Sequence, residues 1–270
     1  MSKIIFMDID GTLLDHIRYH RVLDSTIEAI QKARANGHKI ILCTGRSKSN
    51  VLEGMIPFES DGQIYGAGAM LETKNKLLYH ICIPEDDLKL LIDDFTTYHF
   101  GFKLEGEEES FADSFVFKRR NMVKKITGVL SSEALFPMNE FHLEKAHISK
   151  ATLYYQSKED LKAFQEKWKS KYTCIEHGKK NYDTHFMCEL LINHVNKTSG
   201  IKKMLEYFNM KQEDTIAFGD SMNDLDMLLF ANIGICMENG ADQLKKAADM
   251  ICGPSYEDSI YDMFQQLKLI

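Results

Sequence analysis

Lys3-Ile4-Ile5-Phe6-Met7-Asp8-Ile9-Asp10-Gly11-Thr12-Leu13-Leu14 is the stretch on which the fold turns. The run from Lys3 to Ile9 is nearly all apolar and breaks abruptly into Asp-Ile-Asp-Gly-Thr. That is the pattern of a parallel strand, buried on both faces, running into a loop. Two carboxylates one residue apart then stand at the strand's end, where they can converge on a hard, oxygen-seeking cation while the amides of the turn face an anion. The same residues also read as a solvated turn, since Asp and Gly are common in loops.

Outward from this stretch, a helix opens at Asp24 or Ser25, with Glu28 completing a capping box to Ser25 and Ile27, Ile30 and Ala33 or Arg34 along one face. Asn36-Gly37 stops it. A second apolar strand, Lys39 to Cys43, ends in Thr44-Gly45-Arg46, and a polar segment of helical character follows. The C-terminal third repeats the alternation. Ser199 precedes a helix bearing Ile201, Met204, Leu205 and Phe208. The strand Thr215 to Phe218 then runs into Gly219-Asp220, and a helix carries Leu225, Leu228 and Leu229. The strand Ile233 to Met237, a helix around Leu244 to Ala248, and Met250 to Cys252 follow. The predicted class is α/β, a doubly wound, mostly parallel, Rossmann-like sheet. Ligands of such sheets lie at the carboxyl ends of the strands, where Asp8, Thr44 and Asp220 fall.

The middle has a different grammar. Between about Pro84 and His185 there is an amphipathic helix (Leu88, Leu91, Ile92, Phe95), the aromatic-rich segment Ser114 to Arg120, an alternating stretch from Ala151 to Gln156, and a second helix (Leu161, Phe164, Trp168). This predicts an inserted α+β second domain over 83–188, with 1–82 and 189–270 folding together as one core. The acidic cluster Glu105 to Glu109 reads as a solvated loop.

Composition excludes several classes. A formal net charge of -7 argues against a protein that binds nucleic acid by neutralising its backbone. The six cysteines show no CxxC and no zinc-like spacing, so reduced, mostly buried thiols are expected. No stretch approaches the roughly 18 apolar residues that span a bilayer, and no signal peptide is legible. A cytoplasmic protein without a membrane partner is expected.

Three further segments carry chemistry. Thr44-Gly45 offers a hydroxyl and an amide to a phosphoryl oxygen, though Thr and Gly also end strands for no other reason. Lys197, just ahead of the Ser199 helix, could meet an anion together with the helix terminus, or be a surface lysine. Gly219-Asp220-Ser221-Met222-Asn223-Asp224 places two acids and an amide at a strand-to-helix junction, as metal ligand and orienting partner or as a helix cap. Jointly they supply what phosphoryl transfer needs: a nucleophile, a proton donor, a cation site, and groups around the equatorial oxygens. His16 and His20 after the first turn, Arg119, Arg120, Lys124 and Lys125 in the insert, and His177, Lys179, Lys180 and Tyr182 before its exit read as surface residues.

The set Asp8–Leu14, Thr44-Gly45-Arg46, Lys197 and Gly219–Asp224 resembles the four motifs of the haloacid dehalogenase-like phosphatases. The long insert resembles the class IIB cap of their Cof-type branch. The resemblance implies that Asp8 is the nucleophile, forming an aspartyl-phosphate, and that Asp10 is general acid and then general base. It implies Mg2+ held by the Asp8 carboxylate, the Asp10 carbonyl and Asp220, with Asp224 orienting the site. Thr44, Gly45, Lys197 and Asn223 would bind phosphoryl oxygens of a small phosphate ester, a sugar phosphate or similar. Related ion pumps carry Thr at the position of Asp10, so Asp there implies hydrolysis. A phosphomutase and a non-catalytic phosphate-ester-binding protein are the alternatives. Two stretches depart from the family pattern. Tyr65-Gly66-Ala67-Gly68-Ala69 stands where Asn-Gly-Ala is frequent, and Met237-Glu238-Asn239-Gly240-Ala241 where Met-Gly-Asn-Ala is common. Asn239 matches, with its role open.

Overall fold

A computed structural model describes residues 2–15, 17–74, 76–127, 135–177 and 185–270, with side chains omitted over 121–127. The chain divides into two compact units, one comprising 1–45, 53–80 and 196–270, the other 46–52 and 81–195.

In chain order the first unit begins with β1 (Ile4–Met7), α1 (Asp24–Ala35), β2 (Lys39–Cys43), β3 (Gly62–Tyr65), β4 (Met70–Thr73) and β5 (Lys76–His80). The second unit follows with α2 (Glu85–Thr97), β6 (Gly101–Gly106), β7 (Ser110–Ala112), α3 (Ser114–Thr127), β8 (Leu135–Pro137), β9 (Ile148–Tyr155), α4 (Lys158–Trp168), β10 (Tyr172–His177) and β11 (Phe186–Ile192). The chain then returns through α5 (Lys197–Phe208), β12 (Thr215–Gly219), α6 (Leu225–Phe230), β13 (Ile233–Met237), α7 (Asp242–Ala247), β14 (Met250–Cys252) and α8 (Ser259–Gln266).

The first unit is built on an eight-stranded sheet ordered β14-β13-β12-β1-β2-β3-β4-β5. It is parallel from β14 to β3, and β4 and β5 add an antiparallel edge. β1 is central and fully buried, which is why its sequence is apolar without alternation. Its pleat still sorts the side chains. Ile5 and Met7 pack with Ala29, Ile30 and Ala33 of α1 and with Ile260 and Phe264 of α8. Ile4 and Phe6 pack on the opposite face with Ile201 and Met204 of α5 and Met227 of α6. Burying each such side chain contributes about 2 kcal/mol. The doubly wound, Rossmann-like α/β core is therefore the fold.

Three local readings are corrected here. The capping box at Ser25 does not form, because α1 starts at Asp24 with Leu23 as N-cap, which puts Ser25 inside the first turn. Glu28 pairs instead with Lys32 at 2.8 Å. After Thr44-Gly45-Arg46 there is a short 3-10 turn, Lys48–Asn50, in place of a helix. Lys197 is the first residue of α5, whose N-cap is Asn196 with Ser199 as its capping-box partner.

The second unit has a six-stranded sheet, β10-β11-β9-β6-β7-β8, antiparallel except between β7 and β8. Phe102, Leu104, Leu153 and Leu190 on one face pack against Leu91 and Phe95 of α2 and Phe164 of α4. The aromatic-rich segment from Ser114 is helix α3. β11 runs to Ile192, so the unit extends past residue 188, and 46–52 also belongs to it. Glu105 is not in a solvated loop. It is 2% exposed on β6, in the sheet face opposite Leu104. Its carboxylate accepts hydrogen bonds from Thr152 at 2.5 Å, from Ser47 at 3.4 Å and from the Asn50 amide. Lys103 lies 3.4 Å away, and the buried Lys150 lies 3.9 Å from Glu105 and 2.5 Å from Glu189. Removing one member of such a buried charge network leaves the others uncompensated. Lys150→Met is expected to destabilise the protein by about 3 kcal/mol in urea denaturation. A midpoint equal to that of the parent would contradict the assignment of Lys150 as the counter-charge. Among the described residues, no helix is long and apolar enough to cross a membrane.

Candidate active site

The strand ends of the first unit bring Asp8, Lys197, Asp220 and Asp224 together. β1 delivers Asp8, whose N–H donates to the Phe218 carbonyl at 3.0 Å, so the rung after β1 sets Asp8 beside the end of β12. The chain then turns, Leu14 N–H donating to Ile9 O at 2.7 Å and Gly11 N–H to Leu14 O at 3.0 Å, with Asp10 bridged to Leu14. Gly11 has φ +83° and lies so close to the Asp220 carboxylate that a Cβ would collide with it. Only glycine meets both conditions.

Lys197 is 1% exposed. Its Nζ donates to Asp8 Oδ1 at 2.6 Å and to Asp224 Oδ1 at 2.5 Å. The Gly66–Gly68 turn underlies this placement. A Cβ on Gly68, at φ +109°, would strike the carbonyl of Asn196, the N-cap of α5, and Tyr79 Oη donates to Gly68 O at 2.7 Å. This departure from the family pattern thus forms the seat of the helix that carries Lys197. Asp224 also holds the backbone of its own loop. Its second oxygen accepts the N–H groups of Asp220 and Ser221, each at 3.0 Å, as the cap of the 222–224 turn.

Thr44 is buried at the end of β2, its N–H on Ile64 O at 2.9 Å and its carbonyl accepting from Ala67 at 3.0 Å. Gly45 stands beside Asn223, whose Nδ2 is 3.5 Å from where a Cβ would project. Asn223 Oδ1 is taken by Ser221 Oγ at 2.6 Å, which turns the amide NH2 toward Gly45. Arg46 groups with the second unit, its guanidinium on Asn50 O at 2.8 Å. His20 is exposed, Arg119 lies 4.6 Å over the Tyr154 ring, and His177 is 3.4 Å from Glu189. His16, Lys179, Lys180 and Tyr182, and the side chains of Lys124 and Lys125, lie outside the described residues.

Electrostatics follow from burial. The Asp8 carboxyl is held well above its ordinary value of 3.8, by desolvation first and then by the neighbouring charges of Asp224 and Asp220. Burial alone would lower the Lys197 pKa, but Asp224 and Asp8 outweigh it, so the ammonium stays protonated. Burial pushes the nearby Cys43 thiol up to about 12, which makes it inert. One carboxylate oxygen from each of Asp8, Asp220 and Asp224 lies within 4.8 Å of the other two, with one ammonium beside them. An all-oxygen, net-negative cluster fits a small hard dication, which would lower the pKa of Asp8 again.

Asp15 is a residue the sequence reading passed over. It is fully buried and accepts the N–H groups of Ile17 at 2.6 Å, Arg18 at 2.9 Å and Tyr19 at 2.5 Å, fixing the loop that follows the acidic turn. An Asp heading a polar loop is the signal that could have found it.

A family model for haloacid dehalogenase-like hydrolase matches residues 5–264. YkrA of Bacillus subtilis (strain 168) is 26% identical over 100% of this chain and 99% of its own. The 5-amino-6-(5-phospho-D-ribitylamino)uracil phosphatase YitU of the same organism is 24% identical over 95% of this chain and 94% of its own. The solved structure of a HAD subclass IIB sugar phosphatase superposes with TM-score 0.79 at 26% identity, covering 100% of both chains. The chain belongs to the haloacid dehalogenase-like hydrolases.

Proposed function

We propose that the protein is a magnesium-dependent phosphatase acting on a small phosphorylated cytosolic metabolite. The observation that carries this reading is the buried Lys197 ammonium bridging Asp8 and Asp224 beside Asp220. An Asp8 oxygen attacks phosphorus, the bond to the ester oxygen breaks, and Asp10 protonates the leaving alcohol. Asp10 then takes a proton from water, which attacks the aspartyl-phosphate at phosphorus, releasing phosphate and restoring Asp8. Thr44, Gly45, Lys197 and Asn223 donate to the phosphoryl oxygens. Asp8, the Asp10 carbonyl and Asp220 would hold magnesium, with Asp224 orienting them, and the bound ion would supply positive charge against the phosphoryl group.

The second unit takes the part of a cap that selects substrate and excludes water. A sugar phosphate or similar ester is supported by the sugar phosphatase among the solved structures and by the phosphorylated ribityl compound named for YitU. The test is phosphate release from a panel of phosphorylated metabolites with and without magnesium, with Asp8→Ala as control. Release that needs magnesium and vanishes in the control is expected. Release that survives either change rules the mechanism out, and isomer formation without free phosphate makes the protein a mutase.

A further inference from the structure

Asn239 stands in the turn between β13 and α7, and both ends of its amide are engaged. Nδ2 donates to the Gly11 carbonyl at 2.8 Å, and Oδ1 accepts from the Ser255 N–H at 2.8 Å. The same turn also grips the other acidic loop. Ala241 N–H donates to the Asp220 carbonyl at 2.8 Å, and Gly240 packs so closely that a Cβ would sit 2.6 Å from that oxygen. Gly11 in turn lies against the Asp220 carboxylate. One turn therefore ties the end of β1 to the end of β12, and the Asn239 amide is its link to the β1 side.

We propose that Asn239 is a positioning residue that fixes the Gly11–Thr12 peptide, the one that follows the Asp10 carbonyl, beside the Asp220 carboxylate, and so sets the affinity of the site for magnesium. This rests on the phosphatase reading above. Asn suits the position because it offers a donor and an acceptor on one planar group. Aspartate would keep the acceptor for Ser255 but set a charge against the Gly11 carbonyl, and alanine would leave both partners unmatched. Either change frees the Gly11 peptide to rotate, and the energy of re-ordering it is drawn from cation binding.

The experiment titrates magnesium alone into parent, Asn239→Asp and Asn239→Ala by calorimetry without substrate, and repeats the titration following phosphate release. Loss of one hydrogen bond predicts about a tenfold weaker magnesium half-saturation in both readouts, with kcat at saturating magnesium near that of the parent. Ser255→Ala, which keeps the N–H that Asn239 accepts, is expected to titrate like the parent. A folded Asn239→Asp that binds magnesium as tightly as the parent overturns the proposal. So does a loss of kcat with unchanged magnesium dependence. A flat magnesium titration of the parent overturns the metal reading itself, so the two failures are distinguishable.

Discussion

Asp8→Asn is expected to reduce phosphate release by at least about a thousandfold while raising the melting temperature. The loss follows from the proposed mechanism, in which a neutral amide cannot form the acyl-phosphate. The gain follows from the burial of Asp8 beside Asp224, which holds its folded-state pKa above 3.8. A raised acid stabilises the fold fully below its unfolded value, and that contribution disappears as pH rises through the folded value. Ionisation of Asp8 is therefore what the fold disfavours, and Asn removes the ionisable group while keeping an acceptor for Lys197. Each kcal/mol recovered is worth about 2–4 °C in a protein of this size. Scanning calorimetry in EDTA should show the variant melting above the parent at pH 7, with the gap closing as pH falls toward 4. Equal melting temperatures at pH 7 would contradict the origin given for the shift.

Lys197→Met is the mirror image, with the largest stability effect. The ammonium is the counter-charge shared by Asp8 and Asp224 at 2.6 and 2.5 Å, and at 1% exposure no water replaces it. Leaving two carboxylates uncompensated costs about 3–5 kcal/mol, along with activity. Urea denaturation should show the loss, and added magnesium should restore part of it, because a dication supplies the missing charge. Lys197→Arg is not expected to substitute, since a planar fork does not fit a gap sized for one ammonium. A midpoint unmoved in Lys197→Met would contradict the pairing.

What the sequence disclosed and what it hid divide along contact range. β1, β2 and β12 are legible because a strand buried on both faces must be apolar throughout, and its end is marked by the first carboxylate or hydroxyl. Asp8, Thr44 and Asp220 follow from that alone. Lys197 was legible only as a cation near a helix start, since its bridge to Asp8 spans 189 residues. Glu105 looked like part of an acidic loop, yet its donors Asn50 and Thr152 are 55 and 47 positions away, Thr152 brought in by the pairing of β9 with β6 and Asn50 by the Lys48–Asn50 turn. Gly68 looked like an irregularity, although the carbonyl of Asn196 forbids a larger residue there. Ser25 misled for a local reason. A Ser-x-x-Glu spacing signals a cap only when the Ser is the last residue before the helix, and here α1 already begins at Asp24 with Leu23 as its N-cap.

The membership of 46–52 in the second unit bears on how such modules can be exchanged between scaffolds. A transplant of 81–195 alone would carry Glu105 away from Asn50 and Ser47, leaving a buried carboxylate short of two donors in its new host. The unit of recombination is therefore discontinuous. A working graft has to bring the short Arg46–Leu52 stretch with it, or replace Glu105 with a residue that needs no donors.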